Sequence, residues 1–157
     1  MKKIPITPNG LESLKDELKK LKGTDRRTVI KDIAEAREHG DLSENAEYHA
    51  ARERQSFIEE RISELEDIIG RAQIIDTSNL SGNTVLFGAI VTLADENNDE
   101  KSVYKIVGMP ESNINEGLLS IDSPLARALI GKHVGDSVEV STPSGSKFYE
   151  IIAVRFC

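Results

Sequence analysis

Glu38-His39-Gly40-Asp41-Leu42-Ser43 is the one decisive break in the first half of this chain. Before it, Leu11, Leu14, Leu18 and Leu21 recur at spacings of three and four; after it, Tyr48, Ala51, Phe57/Ile58, Ile62, Leu65, Ile69 and Ala72 continue the pattern. Apolar residues at that spacing form the seam of a coiled coil. The charged residues around it, among them Lys15, Asp16, Glu17, Lys19, Glu59, Glu60, Arg61 and Glu64, suit the solvated face. Gly40 can adopt the left-handed conformation that closes a helix, and Asp41 or Ser43 can cap the next one. The first half therefore reads as a helix, a tight turn and a second helix running back against the first. Gly23-Thr24-Asp25 is a weak point in the outgoing arm, because glycine is costly inside a helix and Thr and Asp are good caps. An arm of about 30 residues rising 1.5 Å each is on the order of 45 Å long, which predicts a projecting rod.

The period changes near residue 76. Thr84 to Phe87, Val91 to Leu93, and Ser102 to Val107 are rich in β-branched and aromatic residues and predict strands. Asp95 to Asp99 is a polar turn between two of them, and Leu118 to Ile121 is a further short strand. Ser123-Pro124-Leu125-Ala126-Arg127-Ala128-Leu129-Ile130-Gly131 predicts a short helix with Ser as cap, Pro at the first position and Gly at the exit. Ser137 to Ser141 and Phe148 to Phe156 form a last hairpin around Pro143-Ser144-Gly145. The expected fold is α+β in two domains: residues 1–76 an antiparallel coiled-coil hairpin, residues 77–157 an antiparallel sheet with one short helix. Tyr104, Phe87 and Phe148 are most simply sheet core.

Composition narrows the function. With 157 residues, 38% apolar and 30% charged, the chain has a soluble globular composition. A formal net charge of −7 argues against wrapping duplex DNA by charge alone. The single cysteine, Cys157, excludes an internal disulfide framework and a multi-cysteine zinc site. The opening residues lack the apolar stretch of a signal peptide, and no run approaches the roughly 20 apolar residues that span a bilayer. A cytoplasmic protein is expected.

Two carboxylates, Asp41 and Glu44, stand three residues apart where the rod reverses. Their spacing is that of a capping box, and spacing alone favours that structural reading. The functional reading is an exposed metal site. Mg²⁺ takes hard oxygen ligands, often only one or two protein carboxylates with water and substrate phosphate completing the shell. Two acids on an open turn are too few to hold it alone, so the missing ligands would come from a partner. Arg37 on the outgoing arm and Arg52 on the returning arm, with Arg54 close by, are ordinary surface cations able to pair with Glu38, Glu47 or Glu53; the alternative is phosphate contact with a nucleic-acid end. His39, His49 and His133 have no metal-ligand spacing, and neither a P-loop nor a dinucleotide fingerprint is present.

The stretch from Ala34 to Glu53, AEAREHGDLSENAEYHAARE, resembles the tip signature of the bacterial transcript-cleavage elongation factors of the GreA/GreB family. Ser123 to Lys132, followed by Gly135-Asp136, is similar to the signature of that family's C-terminal domain, and Pro5 to Leu11 agrees as well. The resemblance covers essentially the whole chain. It implies an FKBP-like second half that docks on RNA polymerase beside its secondary channel, and a hairpin that enters the channel. Asp41 and Glu44 are then the tip acids that help hold a Mg²⁺ shared with the polymerase, with none held by the isolated chain. Arg37, Asn45, Tyr48 and Arg52 match positions that contact the polymerase or the nascent RNA 3′ end. The polymerase, not this chain, would be the enzyme. Before residue 76 there are 14 Lys and Arg against 16 Asp and Glu, which is closer to the family branch without a broad basic patch along the hairpin.

Three other readings compete. A non-cleaving channel binder needs the hairpin but not Asp41-Leu42-Ser43-Glu44-Asn45. A prolyl isomerase needs an aromatic-lined pocket, whereas the second half has five Phe and Tyr and no Trp. A coiled-coil oligomer needs pairing between chains, whereas Gly40 and its flanking caps favour pairing within a monomer.

Overall fold

The computed structural model describes residues 2–41 and 44–156. Backbone contacts divide the chain into two units: Glu12–Arg71, and Met1–Leu11 together with Ala72–Cys157. The first eleven residues belong with the second half because strand β1 (Ile4–Ile6) pairs in parallel with β2 (Ala72–Ile74), Ile4 opposite Ala72 and Ile6 opposite Ile74. The sequence did not announce this pair. Each strand has three residues, and Ala72 continues the helical spacing that ends one residue earlier.

In the helical unit the outgoing arm is α1 (Pro8–Lys20) and α2 (Arg26–Arg37), joined by one π-helical turn over Leu21–Asp25. There the Arg26 N–H reaches the Leu21 carbonyl, five residues back. This is the place where Gly23-Thr24-Asp25 weakened the pattern, and the chain absorbs it as a bulge within a continuous helix. The returning arm is α3 (Ala46–Arg71). The seam is made by Val29, Ile33 and Ala36 of α2 with Ala51, Ile62, Leu65 and Ile68 of α3, all buried. Phe57 is 63% exposed and lies off it. Charged pairs bridge the arms outside the seam: Arg61 to Glu17 at 2.7 Å, Arg26 to Glu59 at 2.7 Å and Arg54 to Asp32 at 3.0 Å.

The second unit is a five-stranded sheet in the order β5-β4-β3-β7-β6, where β3 is Ile90–Asp95, β4 Lys101–Val107, β5 Leu118–Ser120, β6 Ser137–Thr142 and β7 Gly145–Arg155. Four strands are antiparallel. The edge strand β5 joins β4 in parallel, which corrects the all-antiparallel expectation. It can do so because the chain crosses over through two short helical turns, Met109–Glu111 and Ile114–Glu116. Residues 84–87 are not a strand: Thr84 makes one bridge to His133, and Ala89 N–H bonds to the Leu86 carbonyl in a turn. Helix α4 (Pro124–Leu129) has the expected cap, with the Ser123 hydroxyl accepting from the Ala126 N–H. It buries Ala126 and Leu129 against Val85, Val91, Leu93, Ile106, Val138 and Ile151. Tyr104 packs on this core, half-buried, whereas Phe148 is 41% exposed and outside it.

Glu111 ties the chain's start to this unit. Its carboxylate accepts from the Thr7 N–H at 2.8 Å, from the Thr7 hydroxyl, and from the Gly108 N–H at 3.0 Å. Thr7 is buried and in turn accepts from the Gly10 N–H at 3.0 Å, so the start of α1 is fixed through one acid.

Candidate functional site at the hairpin tip

Among the described residues, Glu38, His39, Gly40 and Asn45 shape the reversal. Helix α2 ends as the Glu38 and His39 N–H groups bond to the carbonyls of Glu35 and Ala36, and Gly40 follows at φ +120°. That backbone region favours glycine, as the sequence required. The returning helix is not capped by Asp41. Asn45 is the cap: its side-chain carbonyl accepts from the Tyr48 N–H at 3.0 Å. Its amide group donates to the Ala36 carbonyl at 2.6 Å, across the hairpin. Ser43, the other expected cap, lies with Leu42 outside the described residues. The physical reason for the correction is register. Helix α3 starts at Ala46, so a cap must stand at 45, and asparagine is among the best caps. The signal was legible, since Asn45 directly precedes the apolar periodicity.

Asp41 and Glu44 are both exposed. With His39, Asn45, Ala46 and Glu47 they line an open concavity of about 460 Å³. Three of these residues, Asp41, Glu44 and Glu47, are formally negative. Among the described residues, no three of His, Cys, Asp and Glu gather closely enough to hold a metal ion. The donor set is therefore two or three exposed carboxylates on an open surface, which fits a part-shell for Mg²⁺ and not a complete cage.

The nearby cations belong to the two arms. Arg37 is the last residue of α2, where positive charge complements the helix dipole. Its guanidinium stands 5.8 Å from the Tyr48 ring centre, and the Tyr48 and His49 rings meet edge to face at 5.5 Å. Arg37 and Arg52 were expected to pair with Glu38, Glu47 or Glu53 if structural. Among the described residues neither forms an ion pair. Arg54 does, with Asp32. Both unpaired arginines line one groove with Ile30, Ile33, Ala34 and Gln55, and of these last four the sequence had singled out none as a site residue.

Residues 4–74 match the family described as "Transcription elongation factor, N-terminal", and residues 80–156 match "Transcription elongation factor, GreA/GreB, C-term". The chain belongs to the GreA/GreB family of transcription elongation factors. It is 62% identical to transcription elongation factor GreA of Rhodospirillum rubrum over 156 residues, 99% of each chain. It is 60% identical to the same factor of Ruegeria pomeroyi, again over 99% of each. Among solved structures, the GreA factor homolog 1 (Gfh1) protein of Thermus thermophilus aligns over 98% of this chain and 99% of its own, at 28% identity and a TM-score of 0.45.

Proposed function

We propose that this chain enters the secondary channel of RNA polymerase and stimulates the polymerase to cleave its own backtracked transcript. The observation that carries the reading is the exposure of two carboxylates, Asp41 and Glu44, on one open concavity where the hairpin reverses. Asn45 caps the returning helix and bonds across to Ala36, and the two carboxylates stand exposed beside it at the end of the hairpin.

In this reading the carboxylate oxygens of Asp41 and Glu44 would hold a Mg²⁺ whose remaining ligands come from the polymerase, water and the RNA phosphate. Such an ion lowers the pKa of its bound water and offsets charge developing on the phosphate. The chain's own part is positional. Gly40 lets the backbone reverse tightly, Asn45 fixes Glu44 relative to Ala36 on the outgoing arm, and Glu47 adds negative potential. Arg37 and Arg52, uncompensated by carboxylates, are suited to the phosphates of the extruded RNA 3′ end. The polymerase remains the enzyme, and the chain acts on it as a monomer.

The test is a backtracked elongation complex with Mg²⁺, followed by release of short 3′ RNA fragments. Asp41→Asn and Glu44→Gln are each expected to lower stimulated cleavage at least tenfold while binding to polymerase is retained. Undiminished cleavage by the double variant would refute the metal role. Loss of cleavage only in step with loss of binding would make the tip a docking element.

A further inference from the structure

Of the seven arginines of the helical unit, Arg26, Arg54, Arg61 and Arg71 each hold a carboxylate, at 2.7, 3.0, 2.7 and 3.0 Å. Arg27, Arg37 and Arg52 hold none among the described residues; Arg27 donates to the Gly23 carbonyl, whereas Arg37 and Arg52 both face one groove between α2 and α3. Ile30, Ile33, Ala34 and Arg37 share a stripe of α2 at spacings of three and four; Arg52 and Gln55 lie one turn apart on α3. The groove encloses about 370 Å³, within the size range of small-ligand sites, about 300–1,000 Å³. Its floor is aliphatic. Ile33 is buried beneath it, but Ile30 is 51% exposed, a large apolar side chain that the seam does not use.

We propose that this groove seats one nucleobase of the extruded RNA. The inference rests on the function proposed above and deepens it: contact with phosphates alone is indifferent to the base, whereas a base seat is not. One face of the base lies on Ile30, Ile33 and Ala34. Arg37 and Arg52 take the phosphates on either side, and Arg52 can also stack its guanidinium plane on the base. The Gln55 amide carries a donor and an acceptor, and so can meet the edge of any base. Uncompensated cations beside an apolar floor match the alternation of charge and flat apolar surface along a single strand. A peptide segment fits less well. Its backbone N–H and C=O groups would lie on an aliphatic floor with Gln55 as the one uncharged polar side chain to satisfy them.

The experiment uses backtracked complexes in which the extruded nucleotides are replaced one at a time by abasic ones, which remove the base and keep the phosphate. Each cleavage rate with the factor is divided by the rate of the same complex without it. One abasic position is expected to lower this ratio roughly tenfold, the scale of one base contact. Ile30→Ser and Gln55→Ala should lower the ratio on intact RNA and change nothing further on that abasic RNA. Their binding to idle polymerase should match the parent chain. Equal stimulation of intact and abasic RNAs would overturn the seat and leave the proposed function standing. Weakened binding of the variants to idle polymerase would overturn it too, by giving the groove to a polymerase loop. Absence of stimulation on every RNA would remove the function reading and the seat together.

Discussion

Replacing Asn45 by alanine tests how the tip is built. Two interactions are lost. The cap on the Tyr48 N–H is worth about 1 kcal/mol, and the bond from the amide to the Ala36 carbonyl about another 1 kcal/mol. Ala36 still receives the His39 N–H, so its carbonyl is not stranded. A local loss of about 2 kcal/mol corresponds to roughly thirtyfold faster hydrogen exchange in the first turn of α3. The His49 amide is the reporter of choice, because it bonds to the Asn45 backbone carbonyl, which the substitution keeps. Exchange followed by NMR or mass spectrometry is the right assay, since two units need not unfold in one transition. Asn45→Asp separates the two contributions. It retains the cap and places negative charge at a helix start, but it cannot donate to Ala36, so its loss should be about half as large. Unchanged exchange in Asn45→Ala, or equal acceleration in both variants, would refute the staple.

Three further outcomes follow from contacts described above. Glu111→Ala leaves the Thr7 N–H, the Thr7 hydroxyl and the Gly108 N–H without their shared acceptor and should cost about 3 kcal/mol in urea unfolding; Glu111→Gln should recover part of it, because its carbonyl still accepts. Gly108→Ala is expected to be more severe than an ordinary glycine substitution, since the added methyl would fall on the Pro5 carbonyl oxygen, a backbone atom that cannot swing aside; near-wild-type thermal stability would contradict it. The Arg61 hydrogen bond and charge hold the Glu17 carboxyl below its ordinary range. A lowered folded-state pKa means stability that is present above the unfolded value, near 4.5, and is lost as pH falls through the folded value. Arg61→Met should therefore flatten the acid limb of a stability–pH curve below about pH 4.5 and leave its shape near neutrality unaltered. Both side chains are partly exposed, so the effect should be a fraction of a kcal/mol.

How much of this was legible in the sequence depended on how local each cause was. The reversal at Gly40 and the Ser123 cap of α4 were readable because a single residue determines each. The β1–β2 pair was not: three-residue strands 68 positions apart leave no period, and their partners are fixed only by tertiary pairing such as Ile4 with Ala72. Phe57 and Phe148 were misplaced because an aromatic at core spacing need not face the core; both are exposed. At the tip, the spacing of Asp41 and Glu44 imitated a capping box, and only the start of α3 at Ala46 gave that duty to Asn45. The groove of Arg37 and Arg52 drew on two helices at once, so spacing along either arm could not reveal it.

The parallel pairing of Ile4–Ile6 with Ala72–Ile74 has a consequence for how such a chain can change over time. All of Glu12–Arg71 is spliced into the other unit between two neighbouring strands, so that unit perceives the rod only as a loop with fixed ends. Matched insertion of seven residues in each arm would lengthen the reach by about 10 Å without disturbing any strand register. Arm length is thus an adjustable dimension of the hairpin, free to vary while every strand of the other unit keeps its register.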